Sequence, residues 1–297
     1  RANKRKHAKS HVSFNIVFCG WIYFIVKNSK NKLTGSENSL SHKSQFVYSY
    51  KFVLRKTMIV DIFIPCFIDQ LHPNVGLNMV KILEKLGCGV NYNPEQTCCG
   101  QPAFNAGYWD EARTVGEKFI KEFQNDRYIV SPSASCTGFV KNYYPEMFSN
   151  SALHNELKQI RKNMFEFSDF LVNVLKITNL GATLKGVATY HDSCAALREY
   201  GVKNEPRTLL SKVRGLEIRE MKETEVCCGF GGTFSAKFEP IAVGMVEQKV
   251  KNAQEVKADY IVSTDMSCLL HIDSYLKKQK IDMKVMHITD LLVSGWE

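Results

Sequence analysis

Long-range electron carriers and dinucleotide-binding proteins carry short signatures, and this chain of 297 residues has neither. There is no C-x2-C-x2-C-x3-C run, so the sites of ferredoxin-type relay clusters are missing. No G-x-G-x-x-G follows the first strand-like run, and "CCGFGG" at 227–232 is the wrong phrase for a dinucleotide pyrophosphate. The C-x2-C knuckle that zinc favours is absent as well. A strongly basic body is also lacking, although the formal charge is +9. Residues 1–57 hold 12 Lys and Arg against the single acid Glu37, and the other 240 residues hold 27 bases against 29 acids. The body is nearly neutral, so no nucleic-acid partner is expected.

The basic stretch is unlike the rest. It opens "RANKRKHAKSH", passes through the apolar run "VSFNIVFCGWIYFIVK" at 12–27, and continues as polar sequence to Met58. A basic start before such a run resembles a signal peptide or a short anchor. Against this, a small-residue cleavage site is lacking, and Asn15 and Gly20 interrupt the run. We read residues 1–57 as a basic and apolar leader outside the fold, with membrane anchoring through 12–27 as the alternative. The remaining length suffices for two domains with buried cores. Hydrophobic content of 44% and charged content of 23% are those of a soluble globular protein.

What the chain does have is a repeated cysteine device. "TCCGQPAFNAG" and "VCCGFGGTF" each place two cysteines before a glycine. Vicinal cysteines pair poorly with each other, because the eight-membered ring strains the peptide between them. In the first copy, Cys66 ends "IVDIFIPC", 31 residues lead to Cys98 and Cys99, and Cys136 follows 37 positions after Cys99. In the second, Cys194 ends "GVATYHDSC", 32 residues lead to Cys227 and Cys228, and Cys268 follows 40 positions after Cys228. Both copies close on similar phrases, "FSDFL" at 167–171 and "ITDLL" at 288–292. Eight of the ten cysteines fall into register, which marks an internal repeat. We divide the body at 58–180 and 181–297.

Between the cysteines, element types alternate. "PNVGLNMVKILEKLG" has helical spacing with Pro73 at its start and Gly87 as a stop, and a short strand around "CGVNYN" leads to the first CCG. A helix over 109–124 and the β-branched run "YIV" follow. The second copy gives a helix near "EPRTLLSKV", the strand "LEIREM", a helix over 240–256 and the strand "DYIVST". This pattern predicts an α/β fold: two tandem related domains, each a small parallel sheet flanked by helices. Ligands of such sheets gather at the carboxyl ends of strands, where Cys66, Cys136, Cys194 and Cys268 are expected.

Three readings of four thiols per half compete. Extracellular disulfides suit secreted chains richer in cysteine than this one. A structural zinc site would need ligands 32 to 40 residues apart with two adjacent, and His191 in "HDSC" is a candidate substitute ligand. Iron–sulfur ligation fits best, since adjacent thiolates reach different irons of a polynuclear cluster. Gly100 and Gly229 would let backbone amides approach sulfur, with Gly231 and Gly232 widening the second cradle.

The phrases "PCFID", "TCCGQPAFNAGY", "SASC", "YHDSC", "CCGFGGTFSAKF", "STDMSC" and "MHITDLL" carry a resemblance over 58–296. The chain resembles the cysteine-rich CCG-domain family of iron–sulfur oxidoreductase subunits, and within it the lactate-utilization type. The resemblance implies a cytoplasmic, two-domain subunit of a complex oxidising L-lactate, a 2-hydroxy acid, to pyruvate. It implies iron–sulfur cofactors, with Cys66, Cys98, Cys99, Cys136, Cys194, Cys227, Cys228 and Cys268 as metal ligands. It also implies two partners, a ferredoxin-type iron–sulfur subunit and a third small subunit. One departure matters. The related heterodisulfide reductase B subunits end each domain in C-x-x-C and hold a noncubane cluster with five cysteines. Here Ser133 and Asp265 stand at the first position of that pair. Four thiolates per half suit an ordinary 4Fe–4S cluster. Asp265 is either an oxygen ligand or, the commoner role at a strand end, a helix N-cap.

Several other residues are candidates. His191 is expected to act as a base, to bond a cluster sulfur, or to brace its loop with Asp192. Arg198 and Lys237 could bind a carboxylate but read first as solvated helix-surface groups. His72 and His271 read as structural, Cys88 as a small core residue, and Tyr143, Tyr144 and "MFEFSDFLVNVL" as core or interdomain packing. A cluster-bearing scaffold without chemistry of its own, an electron-transfer subunit like those of heterodisulfide reductase or glycolate oxidase, and an iron-free thiol–disulfide oxidoreductase are the competing functions.

Overall fold

The computed structural model describes residues 58–296. The expected leader, its apolar run at 12–27 and Cys19 lie outside the described residues. The first half forms β1 (Ile59–Ile62), β2 (Gly89–Tyr92), β3 (Tyr128–Ser131) and β4 (Met164–Glu166), and the second forms β5 (Thr183–Tyr190), β6 (Arg214–Ile218), β7 (Tyr260–Ser263) and β8 (Lys284–His287). Each half builds one four-stranded sheet, in the order β2-β1-β3-β4 and β6-β5-β7-β8, and every pairing is parallel. The short β-branched runs become inner strands because both of their faces are covered by helices.

The expected helices form as Pro73–Lys85, Trp109–Glu122, Asn204–Leu210 and Glu239–Glu255. Pro73 stands in the first turn of its helix, where its missing N–H costs nothing. Gly87 takes a left-handed φ of 85° just beyond that helix and ends it. The short outer strands β4 and β8 were not foreseen in the sequence. They precede the repeated phrases, whose apolar residues turn out to join the halves. Phe167 and Phe170 of "FSDFL" are buried, and their segment packs on helix Asn204–Leu210 of the second half. Ile288–Leu292 packs in turn on helix Pro73–Lys85 of the first half, where Asn78 donates to Asp290 at 2.8 Å. One apolar core therefore runs through both halves, from Val60 and Met79 to Leu276 and Leu291. Cys88 belongs to this core, buried as expected. Among the described residues no helix is long and apolar enough to cross a membrane.

Strand order explains where the chemistry lies. From β1 the chain crosses to β2 on one side, then returns to place β3 on the other. The carboxyl ends of β1 and β3 diverge there and leave a crevice. The same reversal occurs between β5 and β7.

Candidate metal centre

Cys66 and Cys194 follow β1 and β5 within a few residues, and Cys136 and Cys268 lie in the first turns of the helices after β3 and β7, Ala134–Asn142 and Met266–Gln279. The CCG turns descend from β2 and β6 onto the same ends. In the first half, Cys66 Sγ lies 3.5 Å from Cys98 Sγ. Cys98 in turn meets Cys99, and Cys99 meets Cys136. The second half repeats the chain of contacts from Cys194 through Cys227 and Cys228 to Cys268. None of these cysteines is in a disulfide. All eight line one cleft of about 600 Å³ between the halves. Each quartet was expected at its own sheet edge; that both edges open into one cleft follows only from the packing of the halves.

The glycine of each CCG has a definite reason. Gly100 and Gly229 take φ of 88° and 91°, which L side chains rarely adopt. A Cβ on Gly100 would lie 3.0 Å from the Ala112 carbonyl oxygen, and one on Gly229 would lie 2.7 Å from that of Ala242. The close approach is thus to the following helix. The turn aims the Gly100 amide at Cys98 Sγ (3.3 Å) and the Gly229 amide at Cys227 Sγ (3.4 Å). Gln96 ties the first turn to β1, accepting from Ile64 N–H at 2.6 Å and donating to the Ile62 carbonyl at 3.1 Å. Tyr144, fully buried, donates its hydroxyl to the Cys99 carbonyl at 2.7 Å.

Thiols packed together share protons unequally. The Cys66 thiol and the Cys99 thiol next to it, with the Gly100 amide, hold Cys98 as a thiolate, its pKa pulled down to about 3. Cys66 is pushed up because its thiol donates to Cys98 and because it is partly buried. Cys99 is pushed up by its contacts with Cys136 and Cys98 and by burial. In the second quartet, Cys194 rises mainly through its hydrogen bond to Cys227. Thiols that crowd together in this way, one giving up its proton while its neighbours keep theirs, can all release protons when a cation joins them.

Behind the thiols, the loop after β5 is braced through Asp192, though by Arg207 and not by the expected His191, whose ring nitrogens have no hydrogen-bond partner. The buried Asp192 receives the Arg207 guanidinium as a two-pronged ion pair at 2.8 and 2.7 Å. Burial alone would raise the Asp192 carboxyl, but the Arg207 fork more than offsets it and holds it below its ordinary value. His191 is fully buried and does not line the cleft. Burial, with Lys249 nearby, lowers its pKa to about 3, so the ring is neutral. Its ligand atom, Cys228 Sγ and Cys268 Sγ lie within 4.8 Å of one another.

Asp265 departs from the N-cap expectation. Its backbone takes the N-cap position of Met266–Gln279, but its side chain makes no bond to that helix. Instead Oδ1 reaches the other half, accepting from Ser135 N–H at 3.1 Å, Ser135 Oγ at 2.6 Å and Ser133 Oγ at 3.3 Å. Asp265 therefore spends one oxygen on joining the halves, and its buried Oδ2 has no partner. Ser133 does cap its helix, accepting weakly from Cys136 N–H at 3.4 Å. Arg198 and Lys237 are exposed, and neither lines the cleft. His72 and His271 are half-buried, the latter with Nε2 3.4 Å from the Ala242 carbonyl. Gly231 and Gly232 line the cleft, both at positive φ.

The cysteine-rich domain family termed CCG matches the chain twice, over residues 60–141 and 188–273. The chain belongs to the CCG cysteine-rich domain family. Full-length relatives of this CCG protein agree. It is 43% identical over 236 residues to Lactate utilization protein A of Oceanobacillus iheyensis, covering 79% of this chain and 96% of that one. It is 41% identical to the Anoxybacillus flavithermus protein of the same name, covering 79% and 99%. With the Bacillus thuringiensis protein of that name it shares 42% over 238 residues, covering 80% and 99%. Among solved structures, a hypothetical protein from Helicobacter pylori superposes with a TM-score of 0.50 at 12% identity, over 80% of this chain and 49% of that one. That likeness concerns the fold alone.

The residues suit a soft metal group. Eight thiols without disulfides, backbone N–H groups directed at sulfur and a buried imidazole form a soft donor set, suited to iron–sulfur clusters or zinc rather than to hard cations. Sequence reasoning missed Lys249, Gln96, the bond from Tyr144, itself expected in packing, to the CCG turn, and the reach of Asp265. Extending the alignment of the two halves beyond the cysteines would have found the first, because a lysine there faces a phenylalanine in the other copy.

Proposed function

We propose that this chain is the iron–sulfur subunit of a lactate-utilization complex that oxidises L-lactate to pyruvate and passes electrons to a ferredoxin-type partner. The observation that carries the reading is the convergence of eight thiols on one cleft, in a chain whose full-length relatives are named for lactate utilization. Cys66, Cys98, Cys99 and Cys136 would hold one 4Fe–4S cluster, and Cys194, Cys227, Cys228 and Cys268 the other. A bound iron–sulfur group supplies reversible one-electron exchange. The chain's own residues direct amides at sulfur through Gly100 and Gly229, fix the CCG turn through Gln96 and Tyr144, and hold the halves together through Asp265. The division of the body near residue 180 and a cytoplasmic location belong to the same proposal, as does the third small subunit.

One feature favours a narrower part in the reaction. Among the described residues, Glu199 is the only acidic or basic side chain lining the cleft apart from the cysteines. A 2-hydroxy acid has a carboxylate, and a site for it ordinarily offers Arg or Lys. With Glu199 lining it and only the exposed Arg198 reaching it, at the Cys194 sulfur, the cleft suits electron exchange, and the substrate is held elsewhere in the complex. The ferredoxin partner is expected because this chain lacks the relay motif.

Anaerobic purification with iron, sulfide and zinc analysis tests the reading. The expected product is brown, with several irons and matching sulfide per quartet. A colourless protein that stays iron-free after reconstitution, or that holds stoichiometric zinc, overturns it. L-lactate alone is expected to leave the visible spectrum unchanged, and L-lactate with the partner subunits to bleach it.

A further inference from the structure

The two quartets differ in what stands behind them. Phe63 and His191 occupy equivalent places, three residues before Cys66 and Cys194. Phe63 N–H donates to the Val130 carbonyl at 3.0 Å and His191 N–H to the Val262 carbonyl at 2.8 Å, the same bond from equivalent strands. Both side chains are fully buried. Phe63 is satisfied there, its ring edge-on to Phe119 and Phe123. His191 is not, because neither ring nitrogen has a hydrogen-bond partner. A buried imidazole with two orphan nitrogens is costly unless something absent from the protein chain satisfies it. The neighbours within reach are the Cys228 and Cys268 sulfurs. Half-buried His72 leaves one nitrogen, Nε2, without a partner, whereas His287 and His271 are engaged: His287 Nδ1 lies 2.9 Å from Thr289 Oγ1, its Nε2 3.0 Å from the Pro132 carbonyl, and His271 Nε2 3.4 Å from the Ala242 carbonyl.

We propose that His191 is a nitrogen ligand of the metal group held by the second quartet, beside Cys228 and Cys268, so that the two halves carry unlike sites. The proposal rests on the reading of the quartets as metal sites. The first half offers four sulfurs; the second offers four sulfurs and one nitrogen. The Arg207–Asp192 ion pair fixes the backbone next to His191. A neutral imidazole donates to iron without adding negative charge.

Pulsed EPR on the full chain, loaded with iron and reduced by one electron per site, tests this. Protein grown on unlabelled histidine should show the strong nitrogen-14 coupling of a directly bound nitrogen, and growth on nitrogen-15 histidine should convert it to the nitrogen-15 pattern. His191→Phe, which copies the first half, should abolish that coupling completely while iron and sulfide stay in both quartets. If both quartets contain iron and sulfide but the coupling is absent, or only as weak as a hydrogen bond gives, the His191 assignment falls and the cluster reading stands. A chain that takes up no iron removes both together. Should His191→Phe fail to fold, the isotope exchange in the unaltered chain still decides.

Discussion

The two halves share strand order, cysteine placement and the left-handed glycine of each CCG, yet they part company behind the vicinal cysteines. In the first half, Phe63 and Phe119 meet edge to face at 4.9 Å. In the second, His191 and Lys249 fill the equivalent places, and Lys249 is as buried as Phe119. The Lys249 ammonium donates to the Thr224 carbonyl at 3.3 Å and, more closely, to that of Glu223. Burial lowers its pKa, an effect that Cys228 opposes most. One scaffold thus holds its sulfur positions fixed while the medium around them changes from aromatic to cationic. For a redox group this is the consequential variable, because local charge and burial set its potential.

The largest expected effect separates the halves by packing. Phe119→Ala should cost about 3–5 kcal/mol in chemical denaturation, the usual penalty for emptying an aromatic core position. Iron analysis of the surviving protein should show the first quartet depleted and the second intact; equal loss from both would mean that the halves do not respond separately. Next come the CCG glycines. Gly229→Ala should destabilise by about 2–3 kcal/mol, through its left-handed backbone and the contact with Ala242. Gly100→Ala should cost less, since its added Cβ meets Ala112 at a longer distance. A reversed order in denaturation midpoints would break that comparison.

Smaller still is the electrostatic difference. Lys249→Met removes a buried cation beside the second quartet and should lower the potential of that site by on the order of 50 mV, about a kcal/mol for one electron. A redox titration followed by EPR should find the first site unmoved. A separate effect, read against pH, concerns the interface ends of β4 and β8, where Glu166 and His287 are equivalent. Burial pushes the Glu166 carboxyl up from 4.5 to about 8, against the opposing bond from Ser168. The folded chain therefore keeps a proton that the unfolded chain releases, so this contribution is full below pH 4.5 and is lost as pH rises through about 8. His287 is shifted downward by burial, so its contribution is present above its ordinary value of 6.5 and fades as pH falls below that. Glu166→Gln should flatten the decline between pH 4.5 and 8 in denaturation midpoints, and an unchanged slope would refute the assignment.

Much of this was legible in the residues. Cys66, Cys98, Cys99 and Cys136, in register with Cys194, Cys227, Cys228 and Cys268, gave the duplication, and β-branched runs alternating with helical spacing gave the parallel sheets. β4 and β8 escaped notice because "MFE" and "KVMH" lack the β-branched run "YIV" that marks β3 and β7. Asp265 read as a cap because its place in the chain is a cap's place. What it bonds is Ser135, 130 residues away, which no local rule reaches.

The sequence by itself determined the element order, the repeat and the supply of thiols, since these depend on spacing along the chain and on side-chain chemistry. Only the tertiary structure decided that both quartets open into one cleft, that Asp265 ties one half to the other, and that His191 and Lys249 stand where Phe63 and Phe119 stand in the first half. The physical reason is range. Helix and strand periods are set by neighbours a few residues apart, whereas the cleft and its surroundings arise when two finished sheets bury "FSDFL" and "ITDLL" against each other's helices.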